Sequence, residues 1–386
     1  MQSYETDLLI IGAGPFGLAL AAQASHLGID HLIAGRSMEF WRKNMPHGMY
    51  LRSACDWHLD PVNIHTIEKY LESRGQTTKD VEPLSLEFYL SYADWFQTQK
   101  QITTLPSYID RLDHITNFVA STVDGDTIHA RQVALAPGFK HFANIPGELK
   151  ARLPEGRYVH TCEFTDFSSA ANTRYLIVGG RQSAFEWAAL LLEAGASTIY
   201  ISHRHDTPSF EESDWSWVNP LVDAMADNPT WFRRLSEQEK DEVSRRQWAE
   251  GRLKLEPWLA PRLAGDRVRV LPKTEIVKSV EQNGELVVTL SNGAEVVCDK
   301  VVFATGYKVD ITRVPVLSSG NILRQLETRN GFPVLDDHLQ TSVPGLFITS
   351  MPAIQDFGPF FGFTIAVRVS AKLICDAIVE RSRTAA

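Results

Sequence analysis

Several absences narrow the reading of this chain at the outset. Its four cysteines, Cys55, Cys162, Cys298 and Cys375, are scattered over 386 residues without a C-x-x-C pair. That spacing excludes a zinc ribbon and a dithiol redox centre, leaves four reduced thiols, and gives no metal-ligand motif. No apolar run approaches the ~20 residues of a membrane-spanning helix. Positive charge is in deficit: 38 Lys and Arg against 47 Asp and Glu give a formal net charge of −9, the wrong sign for a nucleic-acid or anionic-membrane surface. The start, MQSYETD, runs straight into LLIIG without the basic stretch and cleavage site of a signal peptide, so the cytoplasm is the expected location. Neither a Ser-His-Asp set nor a paired-carboxylate motif is present. With 44% hydrophobic and 22% charged residues, the composition is that of an ordinary globular protein, long enough for two cores.

What the chain does have, twice, is a strand, a glycine-rich turn and a helix. The first copy is DLLIIGAGPFGLALAAQASHLGIDHLIAG, Asp7 to Gly35; the second is RYLIVGGRQSAFEWAALLLEAGASTIYISHR, Arg174 to Arg204. Each places a short apolar run before the turn and an Ala- and Leu-rich helix after it, the pattern of parallel strands joined by crossover helices. In GAGPFG, Gly12 makes the tight turn and Gly14 admits a pyrophosphate. Gly17 lets helix pack on strand, while Pro15 and Phe16 open the helix whose N-terminus attracts the phosphates. The acid that usually ends the next strand and takes the ribose hydroxyls is missing: Gly35 and Arg36 stand there, with Glu39 as a substitute from the loop.

The second turn departs further. Gly179 and Gly180 keep it, Gln182 and Ser183 begin the helix, but Arg181 occupies the place of the second glycine. Its guanidinium either fills the pyrophosphate groove or swings aside and pairs with the phosphates, and pairing is the expectation. His203 and Arg204 end the following strand, where an arginine commonly takes the 2′-phosphate of NADP.

These motifs resemble the class B flavin monooxygenases, which include flavin-containing, N-hydroxylating and Baeyer–Villiger enzymes. GAGPFG is similar to their FAD turn. FWRKNMPHGMYLRS, with Trp41, Leu51 and Arg52, looks like the loop beside the flavin. GGRQSA resembles their NADPH turn, and FATGY, with Ala304, Thr305 and Gly306, the short motif at the return to the FAD domain. Their linker fingerprint is matched at Gly156, His160 and Phe164, with Pro154 in place of its first Phe. A looser likeness is to bacterial FAD-dependent urate hydroxylases.

The resemblance implies an α/β fold of two Rossmann-like dinucleotide-binding domains, each three-layered. Residues 1–150 and 296–386 would form the FAD domain and residues 151–295 the NAD(P)H domain. It also implies FAD and NADPH or NADH as cofactors, O2 and a small molecule as substrates, and oxygen transfer through a flavin hydroperoxide. Nucleic acid and membrane are not expected partners; self-association is left open. In such chemistry the protein orients and shields, so no side chain is singled out as catalytic. Gly358 and Pro359 precede a C-terminal helix whose N-terminus either faces the flavin pyrimidine edge or merely docks the chain end.

Two further segments complete the reading. SLEFYLSYADWFQ is expected as a helix capped by Ser85, with Phe88, Tyr92, Trp95 and Phe96 as its core stripe. From Thr207 to Leu263 the chain is polar and tryptophan-rich, holding Trp215, Trp217, Trp231, Trp248 and Trp258. It reads as a helical insertion over the substrate cleft, one helix opening with a Ser236–Glu239 capping box. Aromatic walls suit a nitrogen-containing or heteroaromatic substrate. The alternatives are a flavin NAD(P)H reductase or oxidase that inserts no oxygen, and a flavin-binding sensor. His58 and His160 are expected as structural hydrogen-bonders.

Overall fold

A computed structural model describes residues 1–225 and 227–384. The chain opens with β1 (Ser3–Ile11), α1 (Pro15–His26) and β2 (His31–Ala34). Leu8, Leu9 and Ile10 are all fully buried, so both faces of β1 are covered and the strand reads as a continuous apolar run. Pro15 takes the first helical position of α1, where its missing N–H costs nothing.

The helix α2 (Leu86–Lys100) is capped as expected: the Ser85 hydroxyl accepts from the Phe88 N–H at 3.1 Å. Its core stripe, however, runs through Tyr89, Tyr92 and Phe96, all fully buried, while Phe88 and Trp95 are half-buried. Positions 89, 92 and 96 hold the i, i+3, i+7 spacing of one helix face, and Tyr89 was missing from the expected set.

Strands β3 (Thr104–Leu105), β4 (Ile109–His114), β5 (Phe118–Thr122) and β6 (Thr127–Leu135) complete the first sheet, ordered β3-β2-β1-β6-β5-β4. Its β3-β2-β1-β6 part is parallel and β6-β5-β4 is an antiparallel meander. The second sheet comes from β7 (Tyr158–His160), β8 (Arg174–Val178), β9 (Thr198–His203) and β10 (Val268–Pro272), with α3 (Gln182–Glu193) crossing from β8 to β9. A three-stranded antiparallel sheet follows, β11 (Ile276–Gln282), β12 (Glu285–Leu290) and β13 (Glu295–Cys298).

The strand β14 (Lys300–Phe303) corrects the expected boundary at residue 296. It lies inside the second sheet, ordered β10-β9-β8-β14-β7, and is parallel to both neighbours. Val301, Val302 and Phe303 are fully buried, and only an inner strand covers such a run on both faces. The chain therefore leaves this sheet after Phe303. It rejoins the first sheet through β15 (Leu346–Ile348), parallel to β6, and ends in α6 (Val367–Thr384), which lies along α1.

The insertion between β9 and β10 carries α4 (Val218–Ala224) and α5 (Glu237–Arg252). The capping box forms: the Ser236 hydroxyl accepts from Glu239 N–H, and the Glu239 carboxylate accepts from Ser236 N–H at 2.8 Å. Val218, Val222 and Met225 are buried in the first domain's core, with Trp215, Trp217 and Trp231 against it; Trp258 packs on the second. The insertion thus leaves from one domain and docks on the other. Among the described residues no helix is long and apolar enough to cross a membrane.

Candidate active site

The two turns are built alike. At the first, Gly12 has a φ of +108° and faces the Ala136 carbonyl so closely that a Cβ would collide with it; at the second, Gly179 at +147° faces the Ala304 carbonyl in the same way. Each turn is thus gripped by an alanine carbonyl at the exit of a neighbouring strand. This gives the ATG motif at 304–306 a physical role and pairs it with the APG at 136–138. A Cβ on Gly17 would strike the Gly12 carbonyl, whereas one on Gly14 would meet nothing within 4 Å. Gly17 serves packing and Gly14 faces open space.

That space is a single cleft of about 1640 Å³. Its walls include Gly12, Gly14, Pro15, Phe16, Arg36, Glu39, Trp41, Leu51 and Arg52 from the first domain. The second contributes Gly179, Gly180, Arg181, Gln182, Ser183, His203 and Arg204, and the return adds Ala304, Thr305, Gly306 and Pro359. Gly17 and Gly358 are not among the lining residues: Gly17 lies beneath the turn, and Gly358, at a φ of +95°, packs against the Phe232 ring. Ligand pockets commonly hold roughly 300–1,000 Å³, so this cleft has room for more than one ligand.

At the end of β2, Glu39 lines the cleft but is shared between Arg36 at 3.5 Å and Lys43 at 3.0 Å. The Arg36 guanidinium lies over the Tyr108 ring at 5.3 Å. Trp41 is stacked on Tyr89 with ring centres 4.8 Å apart, which anchors the loop that runs along the cleft.

Arg52 does something the sequence did not disclose. Its Nε donates to Glu256 at 2.6 Å, its Nη1 to the Gly251 carbonyl at 2.7 Å, and its Nη2 to the Ser213 hydroxyl and the Glu250 carbonyl. These donors are spent on the insertion, so Arg52 is a docking residue on the cleft wall. The reason is geometric, since Arg52 is some two hundred residues from most of its partners.

Arg181 is also turned to the insertion. Its Nη1 donates to the Arg252 carbonyl, and its guanidinium lies 4.9 Å from the centre of the Trp248 ring. Behind it, His203 and His205 stack 4.7 Å apart over Gly180, where a Cβ would clash with His203. Desolvation, then the neighbouring His205, lowers the His203 pKa, so that imidazole stays neutral. Arg204 extends into solvent, 3.6 Å from Glu275.

Beneath the second turn Glu186 is completely buried on α3. It accepts from the Tyr50 N–H at 3.2 Å and from Arg262 at 3.4 Å, linking the loop that holds Trp41, Leu51 and Arg52 to the helix of the second turn. Burial raises its pKa to about 8 despite these donors. No motif announces it, because a glutamate inside an apolar helix face has meaning only once its tertiary partners are known.

At the insertion end the walls are Trp57, Trp215 and Phe363, with the Trp57 and Trp215 ring centres 6.3 Å apart and Trp215 and Phe363 6.4 Å apart. Trp57 donates to Asn219, whereas the buried Trp215 Nε1–H meets no acceptor among the described residues. The C-terminal run enters the cleft as turns at Pro359–Gly362 and Thr364–Ala366, and α6 begins only at Val367. Gly358 and Pro359 thus precede the C-terminal helix as expected, with the short turns of FFGFTIA between them and its start.

His58 and His160 hold structural positions. His58 meets Arg368 at 3.1 Å, and desolvation plus that charge lowers its pKa to about 4. His160 bonds the Gly306 carbonyl at 3.0 Å and so ties the linker to the ATG turn. All four cysteines are buried and unpaired.

Comparison with known proteins agrees with this architecture. The family described as pyridine nucleotide-disulphide oxidoreductase matches residues 6–349. A ferredoxin--NADP reductase of Burkholderia vietnamiensis is 27% identical over 57% of this chain, and the chain spans 57% of that relative's length. Among solved structures, an ornithine N-hydroxylase of Kutzneria sp. 744 shares 15% identity at a TM-score of 0.81, covering 98% of this chain and 100% of its own. The L-lysine 6-monooxygenase of Pseudomonas syringae shares 18% at a TM-score of 0.74, covering 97% and 99%. At such identities the likeness is one of fold.

Proposed function

We propose an FAD- and NAD(P)H-dependent monooxygenase from one premise: this chain belongs to the pyridine nucleotide-disulphide oxidoreductase family. One observation carries the reading. Two dinucleotide turns open on a single cleft whose far end is walled by aromatic rings from an inserted segment. The disulphide of the family name has no counterpart here, since the four cysteines are unpaired and buried.

The residues fit FAD. The open face at Gly14 and the N-terminus of α1 would hold its pyrophosphate, and Glu39 with the Gly35–Arg36 backbone would take the ribose. Bound there, the flavin supplies the redox and oxygen-activating chemistry. At the second turn, Arg204 at the end of β9 would meet a 2′-phosphate. Trp57, Trp215 and Phe363 line the substrate end and would exclude water from it. A small nitrogen-containing or heteroaromatic substrate suits these walls.

The purified protein should be yellow with non-covalent FAD, bleach with NADPH or NADH without oxygen, and place one atom of labelled O2 in its product. Failure to bind added FAD would refute the reading. A second reading, an NAD(P)H reductase that inserts no oxygen, is favoured by the ferredoxin--NADP reductase relatives. It predicts flavin reduction with no labelled product.

A further inference from the structure

The insertion also reaches the second dinucleotide turn, through two arginines that no carboxylate pairs with among the described residues. Arg181 sits where the turn would otherwise have its second glycine, yet its side chain leaves the turn and settles on α5. There Trp248 carries two guanidinium groups: Arg181 at 4.9 Å and Arg252 at 5.9 Å from the ring centre. Both arginines line the cleft together with Gly179, Gly180 and Ser183.

Among the described residues, neither guanidinium has a carboxylate within 4.0 Å, unlike Arg233 with Asp337 and Arg262 with Glu193 in the same part of the chain. Each arginine depresses the next. Desolvation and then Arg252 lower the pKa of Arg181, and desolvation and then Arg52 lower that of Arg252. Gathering like charges without a counter-charge is unfavourable unless an anion completes the group. The second turn brings the backbone amides of α3, a twelve-residue helix, to the same cleft.

We propose that Arg252 of the insertion and Arg181 of the second turn form a two-guanidinium seat for the pyrophosphate of the nicotinamide nucleotide, with Trp248 as the plate that holds them side by side. The inference rests on the NAD(P)H reading above. Two fixed positive charges match the two negative charges of a pyrophosphate, and guanidinium forks match its oxygens. The 2′-phosphate is left to Arg204, so the seat serves NADPH and NADH alike. It follows that the insertion belongs to both ligand sites, and an undocked insertion would release the nucleotide.

Equilibrium titration of the full-length flavin-loaded protein with NADP+ and with NAD+ tests this without any turnover. Arg252→Ala and Arg252→Gln should each weaken both nucleotides about tenfold, which is about 1.4 kcal/mol, and Arg252→Lys should restore most of the loss. Arg181→Ala should do the same, while binding of adenosine 2′-monophosphate stays unchanged in every variant. Hydrogen exchange across residues 237–252 checks that α5 remains in place. Wild-type affinity in the Ala and Gln variants, or a loss confined to NADP+, would overturn the seat and leave the monooxygenase reading standing. A wild type that binds neither nucleotide would overturn both.

Discussion

Arg52→Ala should undock the insertion while leaving both sheets folded. Arg52 and Glu256 are mostly buried, at 17% and 15% side-chain exposure, so their contact at 2.6 Å is little screened. Truncation removes that ion pair and the bonds to two backbone carbonyls, and it strips the guanidinium from the Trp215 ring, 5.8 Å away. Breaking a buried pair by removing one partner costs about 3–5 kcal/mol, most of it from the stranded charge. The cost falls locally, because Arg52 meets the insertion at both its entry, Ser213, and its exit, Glu250 to Glu256. Hydrogen exchange should show amides of residues 213–256 opening roughly 10²- to 10³-fold more often, while β1, β6 and β8 keep their protection. The double variant Arg52→Ala with Glu256→Ala should recover part of the loss, because no carboxylate is then stranded. Unchanged exchange in the insertion, or equal loosening of all strands, would refute the latch.

Three other substitutions probe the site. Gly14→Ala should leave thermal stability nearly unchanged, since its Cβ meets open space, yet weaken flavin retention; Gly17→Ala, whose Cβ strikes a backbone carbonyl, should lower the melting temperature as well. Calorimetry beside flavin absorbance separates the two. Arg204→Ala should weaken NADPH more than NADH by about 1.5–3 kcal/mol, read from anaerobic reduction titrations, because the lost charge would meet the 2′-phosphate that NADH lacks. Glu186→Gln should flatten the pH dependence of stability. With a folded pKa of about 8 against an ordinary value of 4.5, the native state keeps a proton that the unfolded chain has released. Stability from this group therefore falls as pH rises from about 4.5 to 8, by at most about 5 kcal/mol. Denaturant unfolding of wild type and variant at pH 5 and pH 8.5 measures the difference, and parallel curves would mean Glu186 ionises freely.

Both strand-turn-helix units were legible in the residues alone, because their signals are local. An apolar run covered on both faces, glycines at fixed offsets and a helix start all fall within thirty residues, and Gly12, Gly14 and Gly17 stand where that spacing puts them. The Ser85 and Ser236 caps were legible for the same reason, as each hydroxyl serves an amide three residues on. The remaining features depend on contacts between residues far apart in the chain. Lys300–Phe303 could be read as a buried strand, but not as one lying between β8 and β7. Arg52 looked like a cofactor residue until the insertion took its donors, and Arg181 posed two orientations until Trp248 and Arg252 drew it out of the groove. The tryptophans of the insertion announced an aromatic surface, but which domain they cover follows from where the excursion lands. Long polar side chains have many rotamers and several eligible partners, so only the packed chain chooses among them.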